Sequence, residues 1–256
     1  MQQNSRKLSI PWTGLDVFLL LALWFVAHQI VFVLVVVQMP EQSAMIDKKD
    51  HRHPIIQMIE QGKNSPAVLL IAFLAVVVAA PFIEEFLFRL LFQGWLETKL
   101  GSSGIAIVVV SLCFALIHGG NNKSLDGQVL FYLFAAMIAV NLLVFAMGII
   151  YLQRIKNVKL THIVFGTGRF FPPRFFVYAG YCLLMLLPIF GITFVLNNIY
   201  PNINTDPIPV FLLSLVLGIL YSRTHNLSYC IMVHACLNAT SLTIAYASGC
   251  AAFRLQ

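Results

Sequence analysis

The sequence predicts an all-α protein, a polytopic transmembrane helical bundle of about seven spans with a polar cavity inside the membrane. Three observations lead there. Of 256 residues, 59% are hydrophobic and 10% are charged, whereas soluble domains carry about 25% charged residues. Several separate apolar runs approach the ~20 residues that a helix needs to cross the hydrocarbon core. Within those runs the apolar residues are continuous rather than alternating, which excludes a transmembrane barrel wall and leaves helices as the way to satisfy the backbone in lipid.

Taken in order, run length and punctuation predict helices over Trp12–Val37, Pro66–Trp95, Ser102–His118 and Gln128–Leu152, then Phe175–Val195, Pro209–Ser222 and Leu227–Tyr246. They form a single transmembrane domain over residues 1–256, with core helices at 66–118 and 209–246 and extra helices at 128–152 and 175–195. The start of the chain lacks an apolar core followed by a small-residue cleavage site, so the first run reads as a retained anchor. Ser65 before Pro66 reads as a side-chain cap ahead of a proline in the first turn. The helix that follows exceeds one bilayer thickness, and Pro81 is where it should tilt or kink.

The net charge of +6 resides in the connections, so it reports orientation and no nucleic-acid partner. The segment Gln153–Pro173 carries Arg154, Lys156, Lys159 and Arg169 without an acidic residue and reads as cytoplasmic, together with the N-terminus. The chain is expected to be a multi-pass protein of the cell membrane, with the lipid bilayer itself as a partner. Cys113, Cys182, Cys230, Cys236 and Cys250 lack metal-ligand spacing and read as small buried residues.

Polar residues inside the apolar runs are the informative ones. Glu84, Glu85 and Arg89 follow Pro81-Phe82-Ile83, and each charge costs about 2.5–3.5 kcal/mol at a helix centre. Glu85 and Arg89 stand four residues apart and can neutralise each other on one face. Glu84 points about 100° away. A carboxylate left over in this way normally lines a cavity or a relay and suits proton transfer. His118 ends the third run before Gly119-Gly120, where it can simply favour the helix dipole; Phe114, one turn earlier, can pack on its ring. His234 and Asn238 share a face of the last helix, either as inter-helix hydrogen-bond partners or as part of a site. Cys236 projects away from that face. Gathered together, a carboxylate and an imidazole can activate water, while a second imidazole and an amide can donate to a tetrahedral oxyanion. That is the chemistry of amide hydrolysis.

The segments Glu84-Glu85-x-x-x-Arg89, Phe114-x-x-x-His118 and His234-x-x-x-Asn238 resemble, in order, the three signature motifs of the CPBP family of intramembrane proteases, which includes the CAAX-processing endopeptidases and bacteriocin-immunity relatives. The resemblance implies a metal-independent endopeptidase without cofactor. Glu84 would act as general base with His118, His234 and Asn238 would bind the oxyanion, and Glu85, Arg89 and Phe114 would support the geometry. It also implies a membrane-associated peptide or protein as substrate. His118 and His234 stand farther apart than is usual in the family, and the added length holds two predicted helices, which preserves the orientation of those that follow. The chain's own end, Phe253-Arg-Leu-Gln256, is not a prenylation signal.

Two other readings use the same residues. A non-catalytic membrane chaperone or proton-coupled transporter would also place carboxylates in the membrane, although no inverted repeat is evident. Glu84, His118 and His234 as zinc ligands form the third; the sequence lacks His-Glu-x-x-His.

Overall fold

The computed structural model describes residues 11–38, 57–59, 65–118, 127–159, 180, 184 and 207–254. Apart from Gly180 and Leu184 the predicted helix Phe175–Val195 lies outside the described residues, as does the Gly119-Gly120 stop; the described residues contain no strand. Six long helices are seen: α1 (Gly14–Gln38), α2 (Pro66–Leu100), α3 (Ser103–His118), α4 (Gly127–Arg154), α5 (Pro207–Thr224) and α6 (Leu227–Arg254). Their starts match the predicted runs to within two residues, while α2 and α6 end later than predicted. Four of them contain stretches long and apolar enough to span a membrane, at Gly14–Val35, Pro66–Leu100, Gln128–Arg154 and Leu227–Ile244. At 1.5 Å per residue α3 and α5 measure only about 24–27 Å, short of a ~30 Å hydrocarbon core. The chain is thus a helical multi-pass membrane protein. Phe18, Phe25, Ile30 and Val33 of α1 and Leu142 and Leu143 of α4 are exposed, as a lipid-facing wall requires.

The irregularity foreseen at Pro81 takes a different form from a simple bend. Helix α2 is π-helical over Leu74–Ala79 and again over Glu85–Gln93, with a short α-helical stretch, Ala80–Glu84, between them. Proline has no N–H and its ring crowds the carbonyl one turn earlier. The wider pitch before it, in which the Ala80 amide reaches back to the Ala75 carbonyl, takes up that conflict. Each π segment also offers a main-chain oxygen to a distant side chain: Val76 to the Asn238 amide at 2.8 Å and Leu91 to the Trp12 indole at 3.1 Å. At the start of α2 the sequence reading needs correction. Ser65 occupies the cap position in extended conformation and Pro66 the first turn, but the Ser65 hydroxyl makes no capping bond. The carbonyl of Ser65 instead accepts the Leu69 amide at 3.3 Å, so proline's preset φ is what starts the helix.

The chain divides into two compact units. The first takes its described residues from the segments up to Leu21, Glu84–Gly119 and Met147–Cys230. In it α5 packs along α3 so closely that a Cβ on Gly218 would stand 2.9 Å from Ile107. The N-terminus of α1 is fastened by a Thr13-x-x-Asp16 capping box, in which Asp16 accepts from the Thr13 amide at 2.6 Å and Thr13 Oγ1 accepts from the Asp16 amide at 3.4 Å. Asp16 also receives the Tyr151 hydroxyl and pairs with Lys156 at 2.8 Å. The carboxylate holds the Lys156 ammonium above the usual lysine range. Gly148 of α4 lies against Phe86, which is fully buried; a Cβ there would stand 2.6 Å from the ring. Gly148→Ala is therefore expected to lower the melting temperature, by the equivalent of about 1–3 kcal/mol of overpacking. An unchanged melting temperature in detergent would mean that this helix pair does not close as described.

The second unit takes Ala22–Ile83, the described part of Gly120–Ala146, and α6 from Ile231 onward. Its core gathers Met58, Ile59, Ala72, Leu130 and Leu133, covered by Val31, Val68, Phe134 and Leu242. Midway along α1 the Trp24 indole donates to Asn141 Oδ1 of α4 at 3.0 Å, an inter-helix bond of the kind that polar groups in lipid require. Of the cysteines read as buried, one conforms and two do not. Cys230 is buried, Cys113 is half-buried and Cys236 is exposed, because a thiol is apolar enough to face lipid as readily as core.

Candidate active site

Helix α2 brings Glu84, Glu85 and Arg89 into the first unit at and just beyond the junction between the α-helical stretch and the second π segment. Glu85 and Arg89 are completely buried and paired, Arg89 Nε donating to Glu85 Oε2 at 3.1 Å. Arg89 Nη2 donates to Ser214 Oγ of α5 at 2.8 Å, and the guanidinium carbon lies 5.6 Å from the centre of the Phe114 ring. A guanidinium is buried at tolerable cost only where its charge is met. Those three contacts come from its own helix, from α5 and from α3.

Glu84 turns to a different partner. Its Oε1 stands 3.6 Å from Nε2 of His118. That distance is too long for a direct hydrogen bond, but a water between them would reach both. The carboxylate is buried, whereas about a third of the His118 side chain is open. On the other side of the ring, Nδ1 lies 2.8 Å from the Phe114 carbonyl. Since that oxygen only accepts, Nδ1 carries a proton, and neutral imidazole then presents Nε2 as the acceptor toward Glu84. The Phe114 ring sits 4.3 Å from the imidazole, tilted by 36°, and makes an edge contact with Phe88 at 5.0 Å. One aromatic side chain thus touches both the Arg89 guanidinium and the His118 ring.

His234 and Asn238 belong to the second unit, on α6. His234 is buried and Asn238 is half-buried, and the Asn238 amide spends one of its two protons on the Val76 carbonyl. Cys236, between them, faces outward. Among the described residues no three His, Cys, Asp or Glu side chains converge as a metal-ligand set.

Two participants went unread in the sequence. Ser214 carries no local signal, since a serine in an apolar helix ordinarily bonds within its own helix or across to a neighbour. Gln93 did carry one. Glu85, Arg89, Gln93 and Glu97 recur every four residues, a polar stripe on one side of α2, and Gln93 Nε2 donates both to Glu97 Oε1 at 2.9 Å and to the Gly218 carbonyl at 3.0 Å.

Neither a curated protein nor a solved structure matches the chain. A family model does, the one described as type II CAAX prenyl endopeptidase Rce1-like, over residues 66–168 and 160–240. The first stretch contains Glu84, Glu85, Arg89, Phe114 and His118, and the second contains His234 and Asn238. With well over half of its length matched and all three motifs inside the match, the chain belongs to the Rce1-like family of type II CAAX prenyl endopeptidases.

Proposed function

We propose that this protein hydrolyses a peptide bond of a membrane-associated peptide or protein with a water activated by Glu84 and His118. The observation that carries the reading is the Glu84–His118 pair, at 3.6 Å, beside a Glu85–Arg89 pair that is matched to itself. Glu84 takes a proton from the water as its oxygen attacks the carbonyl carbon. The role of donating to the resulting oxyanion is assigned to His234 and Asn238 on the order of the family's motifs alone. Collapse of the intermediate breaks the C–N bond, and the proton returns to the departing amine. His118, oriented by Phe114, accepts a hydrogen bond from the water through Nε2 and so aims its oxygen for attack. Burial of Glu85 with Arg89 keeps the neighbouring charge pair from competing for that water.

No metal is needed for this chemistry, and the two imidazoles and carboxylate are assigned here to water and oxyanion. Purified protein is expected to carry no stoichiometric zinc and to cleave equally well after strong chelation. One zinc per chain by elemental analysis, lost and regained together with activity, would instead make Glu84 and the histidines ligands.

Family membership makes a prenylated peptide with cysteine fourth from its end the first substrate to try. Incubation in detergent should release the three terminal residues, detected by mass spectrometry. If no such peptide is cut, new C-termini in membranes that contain the chain, compared with membranes that lack it, will identify the substrate. Saturable solute uptake into proteoliposomes, with no peptide cleaved, would support the transporter reading.

A further inference from the structure

Among the described residues, the buried polar atoms of the first unit that lack a hydrogen-bond partner include Nη1 of Arg89, Oε1 of Gln93 and Oγ of Ser111. Contacts around them put all three where α2, α3 and α5 adjoin. Arg89 bonds Ser214 and Gln93 bonds the Gly218 carbonyl, so successive rungs between α2 and α5 advance by four residues on each helix. Along α5 that separates the rungs by about 6 Å. Helix α3 closes the third side. Its Phe114 lies against Arg89, and its Ile107 lies at Gly218 beside the Gln93 oxygen. Ser111, four residues after Ile107 and three before Phe114, shares their face and falls opposite the gap between the rungs.

The chemistry of the three atoms selects the occupant. A guanidinium only donates, so whatever sits there must accept from Arg89. The Gln93 oxygen only accepts, and its orientation is fixed because the amide nitrogen already serves two acceptors, Glu97 Oε1 and the Gly218 carbonyl; the occupant must therefore also donate. A cation is repelled by Arg89 and an anion has nothing to give Gln93. A small neutral molecule with both capacities, bridging neighbouring rungs through hydrogen bonds of about 2.8 Å, is water. We propose that a single internal water binds between Arg89, Gln93 and Ser111, accepting from Nη1, donating to Oε1 and sharing its third bond with the Ser111 hydroxyl.

With that water in place, the polar stripe of α2 becomes one hydrogen-bonded line, from Glu85 through Arg89, the water and Gln93 to Glu97. The guanidinium stays charged, so the line passes no proton; it fixes the direction of the Arg89 side chain and thereby of Glu85. None of this depends on what Glu84 does.

Brief X-ray radiolysis of the purified chain tests it, because a bound water splits in place and hydroxylates side chains that bulk water does not reach. Phe114 is 1% exposed and Phe86 is 0% exposed, but only Phe114 borders the proposed site. Mass spectrometry is expected to find Phe114 modified several-fold more than Phe86. In Ser111→Val, whose methyl groups occupy the space, the Phe114 signal should fall to the Phe86 level. Equal modification of the two rings in the wild-type chain overturns the proposal, and so does an unchanged Phe114 signal in Ser111→Val, which would trace the water to the His118 side of the ring. If Ser111→Val does not fold, Gln93→Leu removes the acceptor and is expected to abolish the same signal.

Discussion

Glu84→Gln is expected to reduce peptide cleavage by at least about 100-fold, the contribution of a positioned general base, while leaving yield and melting temperature close to wild type. Glutamine matches glutamate in shape and keeps hydrogen-bonding atoms for whatever Glu84 contacts; what it lacks is the ability to take a proton from water. The counter-ion of Arg89 is Glu85 rather than Glu84, so the substitution leaves that buried pair intact. Turnover of an identified substrate and thermal unfolding would be measured on the same preparation. Near wild-type turnover would remove Glu84 from the chemistry and return it to a packing role beside His118.

Glu85→Ala should have the opposite signature. Arg89 is fully buried, and its contacts with Ser214 and with the Phe114 ring leave it charged with no counter-ion once Glu85 is gone. Breaking a buried pair from one side costs about 3–5 kcal/mol, a large share of the ~5–15 kcal/mol that holds a typical domain folded. A steep fall in melting temperature and yield should follow, with activity lost in proportion to folded protein. Removing both charges, as in Glu85→Leu with Arg89→Met, is expected to recover much of the loss, because the pair's worth over an apolar substitute is small. If the double variant is as unstable as Glu85→Ala, the damage comes from shape rather than from an unpaired charge.

Much of this arrangement was legible before any coordinates. Run length with proline in the first turn located the start of α2, and the i,i+4 spacing matched Glu85 to Arg89 and set Glu84 apart, on the side that meets His118. The shortfalls have physical causes. Glu97, Thr98 and Lys99 broke the apolar run, so α2 was ended at Trp95, although Gly101, at φ 64, supplies the left-handed residue that ends it. The capping box at Thr13 and Asp16 follows the same spacing logic, a hydroxyl and a carboxylate three residues apart at a helix start. The π segments carry no comparable signal, since a residue's hydropathy is indifferent to whether its amide reaches back four positions or five. Partners such as Ser214, Asn141 and Tyr151 lie far away in sequence, and a single sequence contains no term that links them.

The two kinds of bond on Arg89 also form at different moments in the life of the chain. Glu85 is its neighbour on the same turn, so the charge is matched as soon as α2 coils and a nearly neutral segment is handed to the bilayer. Ser214 is 125 residues further on, and at translation speeds of about 5–20 residues per second it leaves the ribosome roughly 6–25 s later. During that interval α2 must be held with its rungs to α5 unmade, and the local ion pair is what lets it wait in lipid.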